Sequence, residues 1–116
     1  VAPHAPYSCS KDLLKGSLEL ARELQLKLHI HVAETQAENG MILERYGKRP
    51  LAFLKELGYL EHEGIFAHGV ELNEREIEEL TASKIHIAHN PISNLIWLVF
   101  LLSADDFCCL VHFTHG

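Results

Sequence analysis

The stretch KLHIHVAET, residues 27–35, alternates polar and apolar side chains through Ala33 and then stops at Glu34-Thr35. Alternation of this length predicts a β-strand, and side chains two apart share a face, so His29 and His31 project the same way. What flanks this strand decides the fold. Upstream, Ser10 is placed to cap a helix with Asp12 in its first turn. Leu13, Leu14, Leu18, Ala21 and Leu24 then recur at three- and four-residue spacing, which predicts an amphipathic helix over 11–26. Downstream, a polar helix-favouring stretch runs to Tyr46-Gly47, and Pro50 opens a short helix closed by Gly58. Residues 64–70 (GIFAHGV) predict a buried strand bounded by glycine. Asn73 caps NEREIEELTASK, with Ile77 and Leu80 as its apolar face, and 85–89 (IHIAH) predict a further strand broken by Asn90-Pro91. Short strands alternating with longer helices imply parallel βα units.

The chain has 116 residues, which suits one modest domain or a piece of a larger one. It is 47% hydrophobic and 22% charged, so a core is feasible and a disordered chain is excluded. Ten basic against sixteen acidic residues give a net charge of −6. That balance argues against a nucleic-acid partner. Three cysteines, two of them adjacent (Cys108, Cys109), cannot complete a disulfide framework, so a reducing, cytoplasmic setting is expected. The opening VAPHAPYSCS has no Met, basic n-region or apolar h-region and reads as neither a signal peptide nor a translation start.

Residues 95–116 break the rhythm. Fifteen of them are hydrophobic, only Asp105 and Asp106 are charged, and all ten Lys and Arg lie earlier. The run Leu95–Leu102 is too short to span a bilayer, so no membrane partner is expected. Two origins stay open for this apolar tail: a buried strand or core helix, or a frameshift or splice artefact. In the second case Trp97 and Phe100 should be exposed.

Nine histidines are the conspicuous chemistry. His4, His31, His68 and His89 each fall near the carboxyl end of a strand or of the entry segment, where ligands gather in parallel βα folds. A lone histidine there is more often a hydrogen-bonded structural group than a ligand. Four at corresponding positions shift that balance. His29 and His31 on one strand face can hold one zinc ion, or can simply be the polar side of an alternating strand. Glu34, three residues past His31, falls where the strand becomes loop and can move a proton beside a metal-bound water.

Taken together, APHAPYSCS, HIHVAET, FAHGVEL and AHNPISNL, in this order and spacing, resemble the amidohydrolase superfamily. The branch they resemble is that of 5'-methylthioadenosine/S-adenosylhomocysteine deaminases and related chlorohydrolases. The likeness covers residues 1–94 or 1–95, about four-fifths of the chain. It implies a partial (β/α)8 barrel, an α/β fragment of four to five parallel strands running from the end of the fourth barrel strand through the seventh. It also implies one divalent metal, zinc first and iron second, and a small heterocyclic substrate.

By that resemblance His31 is the metal ligand, Glu34 moves a proton to the substrate ring nitrogen, and His68 polarises the attacked group and the water. His4 contacts substrate. His29 matches no ligand, because the family's ligating HxH lies on the first strand. His89 has no implied catalytic role, and His62 and His86 read as ordinary surface or helix-facing residues. The first-strand pair and the eighth-strand aspartate are missing from these residues, so the isolated chain is expected to be inactive. His115 in FTHG stands where that aspartate is expected. The implied reaction is hydrolytic deamination of an aminated purine, with guanine, cytosine and chlorinated triazines as other substrates of the superfamily.

Two rivals from other classes remain. One is a small doubly wound binding or regulatory domain with structural histidines. The other is an independent metal-binding module built from His4, His31, His68 and His89. An incomplete barrel also exposes sheet edges, which would favour homo-oligomers. If the resemblance holds structurally, the four strand-end histidines point toward one mouth, with His31 and His68 on the same face and within about 15 Å, because adjacent strands lie about 5 Å apart.

Overall fold

The computed structural model of the chain describes residues 1–91. The apolar tail from residue 95, with Trp97, Phe100 and His115, lies outside the described residues. In chain order the elements are α1 (Lys11–Glu23), β1 (Leu28–Val32), α2 (Gln36–Tyr46), α3 (Pro50–Glu56), β2 (Gly64–His68), α4 (Glu74–Thr81) and β3 (Ile85–Ala88). A single 3₁₀ turn, Tyr59–Glu61, leads into β2.

Local chemistry explains the boundaries. The Ser10 side chain accepts from the Leu13 amide to start α1, and Thr35 and Asn73 do the same for α2 and α4. Pro50 sits in the first turn of α3, where its missing N–H costs nothing. Gly47, at φ +67°, ends α2 in the left-handed conformation that glycine adopts freely. Helix α1 stops at Glu23, three residues short of the expected 26, because Gln25 turns left-handed (φ 53°) and Leu26 is exposed.

The three strands form one parallel sheet in the order β1-β2-β3, with Leu28 opposite Gly64 and Gly64 opposite Ile85. Each neighbour is reached through at least one helix. Leu28, Ile30 and Val32 of β1, Phe66 of β2 and Ile85 of β3 are buried in one cluster with Leu14, Leu18 and Ala21 of α1, Ile42 of α2, Phe53 and Leu54 of α3 and Leu80 of α4. All four helices therefore pack on the same face of the sheet. A doubly wound sheet has a reversal of strand order and helices on both faces. Neither is seen among the described residues.

Four to five strands were expected, and three are present among the described residues. The entry segment accounts for part of the difference. The Val1 ammonium donates to the Lys27 carbonyl, and the amides of His29 and His31 donate to the carbonyls of Val1 and His4 at 2.9 and 3.0 Å. Residues 1–4 thus lie along β1 without forming a regular strand, and they cover that edge. A second correction concerns α4. Leu80 is buried as expected, but Ile77 is 45% exposed, and the inward position next to it belongs to Glu76.

Candidate metal centre

The face of the sheet away from the helices carries the odd-numbered side chains of β1, His29 and His31. At the top of β1 the backbone leaves the strand through Ala33, which is left-handed at φ 53°. That turn carries Glu34 and brings in the Thr35 cap of α2. β2 ends in the same manner. His68 has φ 79°, an uncommon conformation for a residue with a side chain, and Gly69 follows at φ 66°. Strict alternation would send His68 to the Phe66 side, into the core. The left-handed residue breaks the alternation and turns the imidazole toward His31.

The two rings meet. His68 Nε2 and His31 Nδ1 are 2.8 Å apart, and their centroids lie at 5.0 Å. One N–H donates and the other nitrogen accepts, so a single proton is shared along this bond. Glu34 Oε1 lies 3.6 Å from His68 Nε2. One ligand atom from each of His31, Glu34 and His68 lies within 4.8 Å of the others. Two imidazole nitrogens and a carboxylate oxygen are a donor set that suits a borderline divalent metal such as zinc or ferrous iron. By this criterion the residues fit the metal that the sequence implies.

The electrostatics point the same way. His31 is held below the usual histidine range, first by burial and then by repulsion from charge on His68 and His4, with Glu34 opposing. It therefore tends to remain a neutral imidazole, the form that binds metal. His4 stacks obliquely on the other side of His31 at 5.3 Å between centroids. Its Nδ1 is hydrogen-bonded to Ser8 Oγ at 2.6 Å and its ring meets Tyr7 edge-on.

Of the four strand-end histidines, His4, His31 and His68 come together. His89 lines, with His68, Leu72, Ile77 and Ile87, a groove of about 680 Å³ beside α4 and β3, and lies outside the donor cluster. His29 is exposed, 6.0 Å from His31 between ring centroids, and is not one of the three donors. His62 is tied to the Leu26 carbonyl at 2.8 Å, and His86 is exposed.

Two further residues serve the site without having been anticipated. Glu38 is 1% exposed, and its Oε2 accepts from the Glu34 amide at 2.9 Å. Burial pushes its carboxyl above the usual range, against the pull of its bonds to the Glu34 and Ala33 backbone. Its signal was the Thr35-x-x-Glu38 pattern of a capping box. Arg49 is the other: it grips Glu76 through Nε and Nη2 at 2.8 and 2.9 Å and the Glu71 carbonyl at 2.6 Å. The Glu71 amide in turn donates to Ala33 O at 2.9 Å, and the Gly69 amide to Val32 O at 3.0 Å. No short-range pattern announces that clamp.

Known proteins resemble this chain. The 5-methylthioadenosine/S-adenosylhomocysteine deaminase of Thermococcus kodakarensis is 50% identical over 93 residues, 80% of this chain and 22% of that protein. The 5'-deoxyadenosine deaminase of Methanopyrus kandleri is 46% identical over 95 residues, 82% of this chain and 22% of that protein. The chain thus spans little more than a fifth of the length of these relatives. Among solved structures, a zinc-bound adenosine deaminase from Xanthomonas campestris superposes with a TM-score of 0.78 at 36% identity, covering 81% of this chain and 21% of that one. A zinc complex of an atrazine chlorohydrolase from Arthrobacter aurescens gives 0.76 at 26% identity, over 84% and 22%. Zinc in these neighbours and the His-His-Glu cluster here both support a divalent-metal site. The model of the amidohydrolase family matches residues 1–107, and on that match the chain belongs to the amidohydrolase family.

Proposed function

We propose that this chain is the part of a (β/α)8 deaminase barrel that runs from the end of the fourth strand through the seventh, and that it supplies half of a metal-dependent site for hydrolysing an aminated purine of the methylthioadenosine or adenosylhomocysteine type. The observation that carries this is the meeting of His31, Glu34 and His68 at the ends of two neighbouring strands. Sequential strand order with helices on one face suits a barrel wall. Relatives whose names describe adenosine-type deaminases supply the substrate class.

In this reading His31 is a ligand to zinc, with iron as the other candidate. An ion held there would lower the pKa of a water and so make it a nucleophile at neutral pH. Glu34 carries a proton to the purine ring nitrogen as the water oxygen adds to the carbon that bears the amino group. The C–N bond then breaks, the amine takes the second proton of the water and leaves as ammonia, and the added oxygen remains as a carbonyl. His68, turned onto the same face, donates to the oxygen on which charge develops. His4, fixed by Ser8, offers its outer nitrogen to the substrate.

The test is to place residues 1–94 in the matching segment of the Thermococcus kodakarensis relative and to measure metal content against turnover. His31→Ala should lose both together. Glu34→Gln keeps the shape but cannot shuttle a proton, so metal stays while turnover falls by about 10²–10⁴-fold. His68→Ala should retain metal and lose rate. Full activity in Glu34→Gln, or metal retained by His31→Ala, would show the roles to be wrong.

A second reading is favoured by the same cluster. Three protein donors are the usual minimum for a bound zinc, and His31, Glu34 and His68 number three. The chain would then bind metal by itself, through these three donors and not through the His4, His31, His68 and His89 set expected from the sequence. Calorimetric titration of the 116-residue chain with zinc separates the two: one stoichiometric site of micromolar affinity supports the module, and only weak binding supports the partial site.

A further inference from the structure

We infer that Glu38 is a positioning residue for the site: its buried carboxylate holds the Glu34 amide and so fixes the strand-end turn that aims the Glu34 side chain at His68. The inference rests on the reading of Glu34 as the proton carrier, and the test below can fail separately from it.

Two helices of this chain begin with the same device and finish it differently. In α4 the Asn73 side chain accepts from the Glu76 amide, and the Glu76 carboxylate returns to the amide of Asn73 itself at 3.0 Å. That is a closed capping box. In α2 the Thr35 hydroxyl accepts from the Glu38 amide, but the Glu38 carboxylate passes Thr35 and binds the amide of Glu34, one residue nearer the strand. The departure is toward the site.

The bond acts on a turn that needs holding. Ala33 is left-handed, a conformation that an alanine does not choose and that persists only where its surroundings enforce it. From the β2 side, Gly69 and Glu71 donate to the carbonyls of Val32 and Ala33. From the helix side, Glu38 takes the next amide. Carbonyls and amide are thus held from opposite directions, and Glu34 has one path out of the turn.

Glu38 is 1% exposed, yet its Oε1 has no protein hydrogen-bond partner among the described residues. A buried, half-satisfied carboxylate is destabilising where a leucine would pack without loss. What it does that leucine cannot is hold the backbone of the turn, above all the Glu34 amide.

The test is amide hydrogen exchange by NMR on the full chain, with Glu38→Ala and Glu38→Gln. Glutamine keeps one acceptor oxygen. The Glu34 amide should be protected in the parent and in Glu38→Gln. In Glu38→Ala its protection should fall by about 10- to 100-fold, the range for losing one charge-assisted bond, while Ile30 and Leu54 stay within about threefold, roughly half the free energy of a tenfold change. An equal fall at Ile30 and Leu54 would make Glu38 merely structural and overturn the inference, as would an unprotected Glu34 amide in the parent. If Glu38→Ala does not fold, Glu38→Gln decides: retained Glu34 protection supports the inference and loss overturns it. A chain that shows the expected amide pattern but binds no zinc supports the role of Glu38 while counting against the metal-binding module.

Discussion

Replacing Arg49 by methionine should cost the fold about 2–3 kcal/mol, far more than a surface charge is worth. The guanidinium makes two bonds to Glu76 and one to the Glu71 carbonyl, all between 2.6 and 2.9 Å. Charge-assisted bonds contribute roughly 1.5–3 kcal/mol each when desolvated, and removing one partner of a buried pair costs about 3–5 kcal/mol. Arg49 is 37% exposed while Glu76 is 10% exposed, so water screens one end and the figure falls to the lower value. For about 100 residues that is a drop in Tm of roughly 8–24 °C by calorimetry or circular dichroism. Lys55→Met is the control, because its pair with Glu79 is at the surface (52% and 28% exposed) and should be worth under about 0.5 kcal/mol. In a double-mutant cycle, Arg49→Met and Glu76→Gln should couple by about 1–2 kcal/mol and resist added salt. A loss below about 0.5 kcal/mol for Arg49→Met would reduce the clamp to an ordinary surface pair, and the tie from α3 to the Ala33 turn would lose its energetic basis.

Three other outcomes are expected. Because the folded chain holds His31 below its unfolded value of about 6.5, the unfolded state binds more protons there; this contribution to stability is present above about pH 6.5 and is lost as pH falls toward the folded value. NMR titration of the metal-free chain should find the His31 midpoint below the ordinary histidine value of about 6.5, and a midpoint at or above it would contradict the assignment. Tyr59→Phe should lose about 1 kcal/mol in urea, since the buried hydroxyl donates to the Leu14 carbonyl at 2.8 Å; an unchanged midpoint would show that this bond adds nothing net. If the three donors alone hold zinc at micromolar affinity, about 100 µM zinc should add close to 2.7 kcal/mol to stability. The gain should vanish with chelator and in His31→Ala, and a gain that survives His31→Ala would place the ion elsewhere.

Much of this was legible from local chemistry. Ser10 and Asn73 were readable as helix caps because short polar side chains before an apolar-periodic run have little else to do, whereas the Thr35 cap emerged only with the structure. The alternation in LHIHV placed His31 on the open face, and the spacing from His31 to Glu34 placed the carboxylate in the strand-end turn. His68 was named for the right company by a pattern that misplaces it geometrically. Counted from Phe66, it belongs inside, and only its left-handed backbone brings it to His31. Nothing in GIFAHGV reveals that φ. The Arg49 clamp was hidden for a different reason: its partners lie 22 and 27 residues away, on elements that meet only once the sheet has formed. Ile77 failed because a helix as short as α4 has room for one buried apolar position and a buried cap, and Glu76 took the second place.

All three members of the donor cluster lie at or before residue 68, on two successive βα units whose strands pair directly. This has a temporal side. A chain made from its amino end completes β1, α2, α3 and β2 before the later strands leave the ribosome, and neighbouring strands joined by a helix pair early because the loop to be closed is short. Ligands drawn from distant strands would have to wait for the sheet to close. Here the corner that gathers these three side chains can assemble while synthesis of the rest is still under way.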